Sequence, residues 1–224
     1  MVVDASVDRD GSRSFRPEDV QALRSSGRLV VAYLSAGTVE MWRAHTREVP
    51  EAWLLAEVEH WPGERYVDAR EEGWQAILEA EGTRLARDGL DGLYLDNLDA
   101  AEDFPGIAEG IVAAVKRLRS ALPEHLLIAQ NGLGIANSIP IDALAHEDVW
   151  WVGAGGYRPT PRGTQRRLLR ELRALRDAGL PILTLDYTPP GSPAAAEIVA
   201  ASLAEGFLPA VTEVEVEGLP HAHP

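Results

Sequence analysis

The 224-residue sequence predicts a single α/β domain, a closed (β/α)8 barrel, on three observations. About eight short apolar runs alternate with segments of helical periodicity. Most of those runs are continuously apolar, as in strands of a parallel sheet buried on both faces. Carboxylates and amides recur at the carboxyl ends of the runs, where parallel α/β architectures bind their ligands. The alternative is a doubly wound open sheet. Against it, no Gly-x-Gly-x-x-Gly follows the first strand, and the glycine loops at 132–134 and 153–156 lack the spacing and position of a dinucleotide fingerprint.

The elements follow in order. Residues 2–6 form a short strand carrying Asp4, and Pro17-Glu18-Asp19 starts a helix, with proline near its first position and acids in the first turn. Residues 29–34 are the second strand, ending in Ser35-Ala36-Gly37 ahead of Glu40. Residues 53–61 read as irregular and aromatic, 65–68 as a third strand ending at Asp68, and 71–87 as a helix with Trp74, Ile77, Leu78 and Leu85 at helical spacing. The stretch 89–99 is the fourth strand, with Asp96 at its carboxyl end and a helix over 107–121 behind it. Residues 126–132 make the fifth, ending in Gln130-Asn131-Gly132, and 141–149 a weaker sixth, ending in His146-Glu147-Asp148. A loop with Trp150, Trp151 and Tyr157 leads to an arginine-rich helix over 164–178. The seventh strand, 181–187, closes on Asp186-Tyr187; a helix over 193–205 and an eighth strand over 207–211 complete the domain, 1–213. Residues 214–224 read as a tail.

Composition removes several classes of function. With no cysteine there is neither a disulfide nor a thiolate zinc site nor a cysteine nucleophile. The only lysine, Lys116, falls mid-helix and leaves Schiff-base chemistry without a residue. A net charge of −14 argues against nucleic acid and favours a cationic partner. No run approaches the ~20 apolar residues of a membrane span, and Met1-Val2-Val3-Asp4 has neither the basic nor the apolar region of a leader peptide.

Asp4, Asp68, Asp96, Glu147 and Asp186 are expected to converge on one face, with Glu40 and Asp99 just beyond. Like charges so crowded are unfavourable and usually have a functional reason, although some can pair with Arg43, Arg65 or Arg158, or cap helices. No metal or other cofactor is expected: Asp96-x-x-Asp99 lacks converging histidines, since His45, His60 and His125 fall in loops, His146 points opposite Glu147, and His221 and His223 lie in the tail. A serine triad lacks its Gly-x-Ser-x-Gly elbow. What remains is a carboxylate pair flanked by aromatic side chains, among them Tyr33, Trp42, Trp61, Tyr94, Trp150, Trp151, Tyr157 and Tyr187, which is the equipment of a glycosidase. Glu147, among apolar and aromatic neighbours, is the expected general acid. Asp96, in a polar turn beside Asn97 and Asp99, is the expected nucleophile or base. A carboxyl separation near ~5 Å would mean retention and ~6.5–9.5 Å inversion; a short aspartate fixed at a strand end suits covalent attack and so favours retention.

Five blocks of the chain, in order, resemble glycoside hydrolase family 114, the endo-α-1,4-polygalactosaminidase family. They are Tyr33-Leu34-Ser35-Ala36-Gly37 with Glu40 and Trp42-Arg43; Trp61-Pro62-Gly63-Glu64-Arg65-Tyr66-Val67-Asp68; Asp91-Gly92-Leu93-Tyr94-Leu95-Asp96-Asn97-Leu98-Asp99; Gln130-Asn131-Gly132; and Glu147. The resemblance implies a TIM barrel that cleaves partly deacetylated, hence cationic, α-1,4-linked galactosamine polysaccharide or oligosaccharide. It implies catalysis by Asp96 and Glu147 and pocket positions at Asp4, Glu40, Asn131 and Asp186. Tyr33, Trp61, Asp68, Asn97, Asp99, Trp150, Tyr157 and Tyr187 complete the expected substrate-binding set. The family suggests a secreted or periplasmic protein, and the sequence also allows the cytoplasm. Two rival readings stay open, a carbohydrate-binding barrel without turnover and a cation-dependent lyase or phosphotransferase.

Overall fold

The structure is a computed structural model that describes residues 1–7, 11–13, 15–59, 61–153 and 155–213. The expected tail at 214–224, with His221 and His223, lies outside the described residues, as does His60. The chain forms two compact units, Met1–Ile141 and Asp142–Pro224.

In the first unit the elements run β1 (Val2–Val3), α1 (Pro17–Arg24), β2 (Val31–Ser35), β3 (Thr38–Glu40), β4 (Leu54–Glu57), β5 (Glu64–Val67), α2 (Glu72–Arg87), β6 (Gly92–Asp96), α3 (Ala100–Asp103), α4 (Ala108–Ala121) and β7 (Leu126–Gln130). Strands β1, β2, β6 and β7 are parallel neighbours in that order. The register sets Tyr33 beside Tyr94 and Ser35 beside Asp96. Pro17 opens α1 as expected, with Glu18 and Asp19 in its first turn and Arg24 in its last, the charge order the helix dipole favours. Helix α2 buries Trp74, Leu78, Glu81, Gly82 and Leu85, and α4 buries Gly110, Ile111, Ala114, Val115 and Leu118, each on one helical stripe. Each large apolar side chain so buried contributes roughly 1.5–3 kcal/mol. The Trp74 indole also donates to the Ala36 carbonyl at 3.0 Å, tying α2 to the loop at the end of β2.

Two expectations need correction here. The third strand does not join the parallel sheet: β5 is the centre of an antiparallel sheet ordered β3-β5-β4, and Asp68 follows that sheet. The reason is connectivity. Parallel pairing needs a crossover, usually helical, and among the described residues no α-helix lies between β2 and β5, so the chain folds back on itself instead. The segment 53–61, expected to be irregular, also contains order, strand β4, and a 3-10 turn at Glu51–Trp53 leads into it.

The second unit contains β8 (Ala143–Glu147), β9 (Trp151–Val152), β10 (Arg158–Pro159), α5 (Arg162–Asp177), β11 (Ile182–Tyr187), α6 (Ala194–Ala204) and β12 (Leu208–Thr212). Strands β8, β11 and β12 are parallel, and β9 and β10 form a small antiparallel pair in the loop after β8. Helix α5 buries Leu168, Leu169, Leu172 and Leu175 on one side and keeps most of its arginines exposed. Of the eight parallel strands expected, the described residues therefore supply seven, four in the first unit and three in the second. No helix among the described residues is long and apolar enough to cross a membrane.

Candidate active site

In the first unit Asp96 is the last residue of β6, half-buried, and its Oδ1 accepts the backbone N–H of Asn97 at 2.8 Å. Asn97 has φ +57°, and Asn131, just after β7, has φ +58°. Left-handed backbone is costly for most residues but tolerable for asparagine, so the extended backbone of both strands ends abruptly within one residue of the strand. The Asn97 amide nitrogen reaches Ser35 Oγ at 2.9 Å, Thr38 Oγ1 at 3.0 Å and Glu64 Oε1 at 3.0 Å. Glu64 is buried, and burial raises its carboxyl above the ordinary value. Gly37 allows the close approach on the other side, for a Cβ there would lie 1.9 Å from the Asn97 carbonyl oxygen. The Tyr94 hydroxyl donates to Gln130 Oε1, and Asn131 is buried next in sequence.

Two of the expected acids share one cation. Arg43, only 5% exposed, donates to Asp4 Oδ1 at 2.6 Å and forks onto both oxygens of Glu40 at 3.2 Å, while its guanidinium lies 5.8 Å from the Tyr33 ring centroid. Burial raises the Glu40 carboxyl, against the pull of Arg43. Burial, then the Asp96, Glu40 and Glu64 charges, push the Tyr33 hydroxyl well above its usual value. Asp68 turns to Arg70, at 2.6–2.8 Å, and that hydrogen bonding holds its carboxyl low. Asp99 precedes α3, where its backbone carbonyl accepts from Glu102 N at 2.7 Å. Trp61 is 54% exposed on the loop before β5.

In the second unit Glu147 is the last residue of β8, and the Tyr187 hydroxyl donates to its Oε2 at 2.6 Å. Asp148 follows at φ +57°, the same one-residue break, with its Oδ1 accepting from Gly153 N at 3.2 Å. Asp186 is fully buried. Its Oδ1 accepts the backbone N–H groups of Trp150 at 2.6 Å and Trp151 at 2.9 Å, while its Oδ2 is buried without a hydrogen-bond partner. Trp150 donates its indole N–H to Ser202 Oγ at 2.7 Å, and both tryptophans pack against Ala194, Ile198 and Val211. Tyr157 is half-buried in the loop between β9 and β10. Among the described residues no three His, Cys, Asp or Glu side chains are grouped as a metal site.

Burial, chiefly, pushes Asp186 up to about 7 and Asp148 up to about 6, with neighbouring carboxylates adding to the rise. The folded state thus keeps the Asp186 proton to a higher pH than the unfolded chain does, so ionising it costs stability as pH rises from about 4 to about 7. That cost is on the order of a few kcal/mol. Asp186→Asn, which holds no titrating proton, should accordingly gain in melting temperature relative to the unaltered protein as pH rises from about 5 to about 8. A constant gap across that range would mean that the Asp186 carboxyl is not raised.

Asp148 and Glu64 were not among the residues singled out from sequence. Asp148 carried a signal, an acid directly after a strand-end glutamate. Glu64 carried only its place in the Trp-Pro-Gly-Glu-Arg block.

Comparison with known proteins places the chain in a family. The chain is 26% identical to the glycoside hydrolase domain of PelA from Pseudomonas aeruginosa, with a TM-score of 0.81 over 98% of this chain and 88% of that one. Ega3 of Aspergillus fumigatus, solved in complex with galactosamine, shares 18% identity and a TM-score of 0.74, over 90% of this chain and 81% of Ega3. These likenesses show the α/β barrel fold class expected from the sequence. A protein of Deinococcus radiodurans is 32% identical over 235 residues, spanning 98% of this chain and 74% of the relative. The profile of Glycoside-hydrolase family GH114 matches residues 2–222, so the chain belongs to that family and is a glycosidase.

Proposed function

We propose that this glycosidase cleaves α-1,4-linked galactosamine-containing polysaccharide, with Glu147 as general acid and Asp96 as nucleophile or base. One observation carries the reading: in a GH114 chain, two carboxylates each stand as the last residue of a parallel strand, one held by the Asn97 N–H and the other by the Tyr187 hydroxyl. Catalytic groups on this fold come from strand carboxyl ends, and glycoside hydrolysis uses such a pair. The galactosamine held by Ega3 supports the substrate class, and so does the −14 charge, which favours a cationic amino sugar. Half-exposed Trp61 offers a ring face to a sugar. Asp4 and Glu40 bear on the pocket through Arg43.

The test is release of reducing ends from galactosamine oligomers and from their fully N-acetylated counterparts, with and without chelator. Release from the cationic oligomer, insensitive to chelator, is the expected result. Its KM should climb as salt rises from about 0.05 to about 0.5 M, while that of the neutral oligomer moves little, because salt screens exposed charges beyond ~10 Å at 0.1 M. Binding without release would favour a carbohydrate-binding role for this site, and loss of activity to chelator a cation-dependent reaction. An equal salt response would remove charge from the account of specificity.

A further inference from the structure

Behind Asp96 lies a closed ring of polar side chains drawn from three strands and a turn. Ser35 Oγ and Thr38 Oγ1 are 2.5 Å apart, Thr38 Oγ1 donates to Glu64 Oε1 at 2.5 Å, and the Asn97 amide nitrogen is within 3.0 Å of all three oxygens. Ser35, Thr38 and Glu64 are 3%, 0% and 6% exposed, so water does not compete. Chemistry assigns the directions. An amide nitrogen only donates and a carboxylate only accepts. Thr38 spends its one proton on Glu64, so the proton between Ser35 and Thr38 comes from Ser35. Every donor in the ring therefore leads to Glu64, its one obligate acceptor.

The ring acts on the backbone that carries Asp96. Asn97 holds a left-handed conformation, with its N–H on Asp96 Oδ1 at 2.8 Å and its carbonyl against Gly37. Such a conformation persists where the surroundings over-determine it. Without the acceptor at Glu64, the Asn97 amide loses one of its three acceptors and the Thr38 hydroxyl loses the partner that fixes its proton, so the turn whose N–H orients the Asp96 carboxylate is held less firmly.

We infer that Glu64 is a positioning residue for Asp96, acting through Thr38 and Asn97 rather than on substrate. The inference rests on the proposed role of Asp96. Misplacing a reacting group by about 1 Å can cost 10²-fold, so Glu64→Ala should lower kcat about 10–100-fold with KM within about twofold. Glu64→Gln keeps an acceptor oxygen and should restore most of that loss. Placed in an Asp96→Asn background, Glu64→Ala should lower kcat no further, because its effect runs through Asp96; a residue that merely supports the fold would cost the same in both backgrounds.

If Asp96→Asn retains normal turnover, the catalytic reading fails. If Asp96→Asn loses most but not all of its kcat while folded Glu64→Ala keeps normal kcat, or lowers it equally in both backgrounds, only the positioning inference is overturned. Should Glu64→Ala not fold, Thr38→Val decides the matter, since it removes the donor at similar volume. A several-fold loss of kcat at unchanged KM supports the inference, and unchanged kcat overturns it.

Discussion

Asp96→Asn and Glu147→Gln each lower kcat by roughly 10²–10⁴ while leaving the fold intact, if the two carboxylates transfer the proton and attack as proposed. Shape is kept in both. An asparagine Oδ1 at position 96 can still accept the Asn97 N–H now held at 2.8 Å, and a glutamine at 147 can still accept the Tyr187 hydroxyl now held at 2.6 Å. What is lost is the charge in one case and the transferable proton in the other. Reducing-end assays should therefore fall by orders of magnitude at unchanged circular dichroism and melting temperature. NMR of the first product formed by the unaltered enzyme would show an α-anomer for retention through a glycosyl-enzyme and a β-anomer for inversion. Near-normal turnover in either variant would mean that the residue is not part of the chemistry.

The largest effect on stability is expected at Arg43. Arg43→Met removes a cation whose side chain is 6% exposed and leaves Glu40, at 8%, buried without its bidentate partner. Breaking a buried ion pair on one side typically costs 3–5 kcal/mol, because the surviving charge stays desolvated, whereas removing both charges together is far milder. Urea unfolding near pH 7 should show a loss of about that size for Arg43→Met, and most of it should return in Arg43→Met/Glu40→Gln. Protonation of Glu40 offers a second route to relief. Burial already raises its carboxyl, and losing Arg43 removes the groups that lower it, so the deficit of the single variant should shrink as pH falls toward 5. A double variant no more stable than the single one would mean that Arg43 works through packing on Tyr33 instead.

Much of the fold was legible because apolar runs and helical stripes are local signals. The runs at 29–34, 126–132 and 181–187 overlap β2, β7 and β11, and the acids at 96 and 147 are the last residues of β6 and β8. Residues 65–68 show where that logic stops. Their pattern reads as a strand, but which neighbour it pairs with, and in which direction, depends on the chain between, so β5 went to an antiparallel sheet. The strand-end positions of Asp96 and Glu147 were legible, while the wiring of the acids was not. Asp4 and Glu40 meet at Arg43, 39 and 3 residues away. Glu64 meets Asn97 33 residues away, and Asp186 meets the Trp150 backbone 36 residues away. Burial, which raises Asp186 to about 7, is a property of the folded chain and left no trace in the residue order.

The left-handed residues at 97, 131 and 148 bear on motion as well as on direction. A strand that faded gradually into its loop would hand its last side chains the loop's excursions, often on the nanosecond to microsecond scale. Here the break is confined to one residue, so Asp96 and Glu147 remain inside their hydrogen-bonded ladders, with Ser35 and Leu185 as their register partners. Their backbone order parameters are then expected near ~0.85, those of rigid structure, while the loops beyond move more freely. Each of the two carboxylates proposed to react is thus held by a ladder rather than by the loop that follows it.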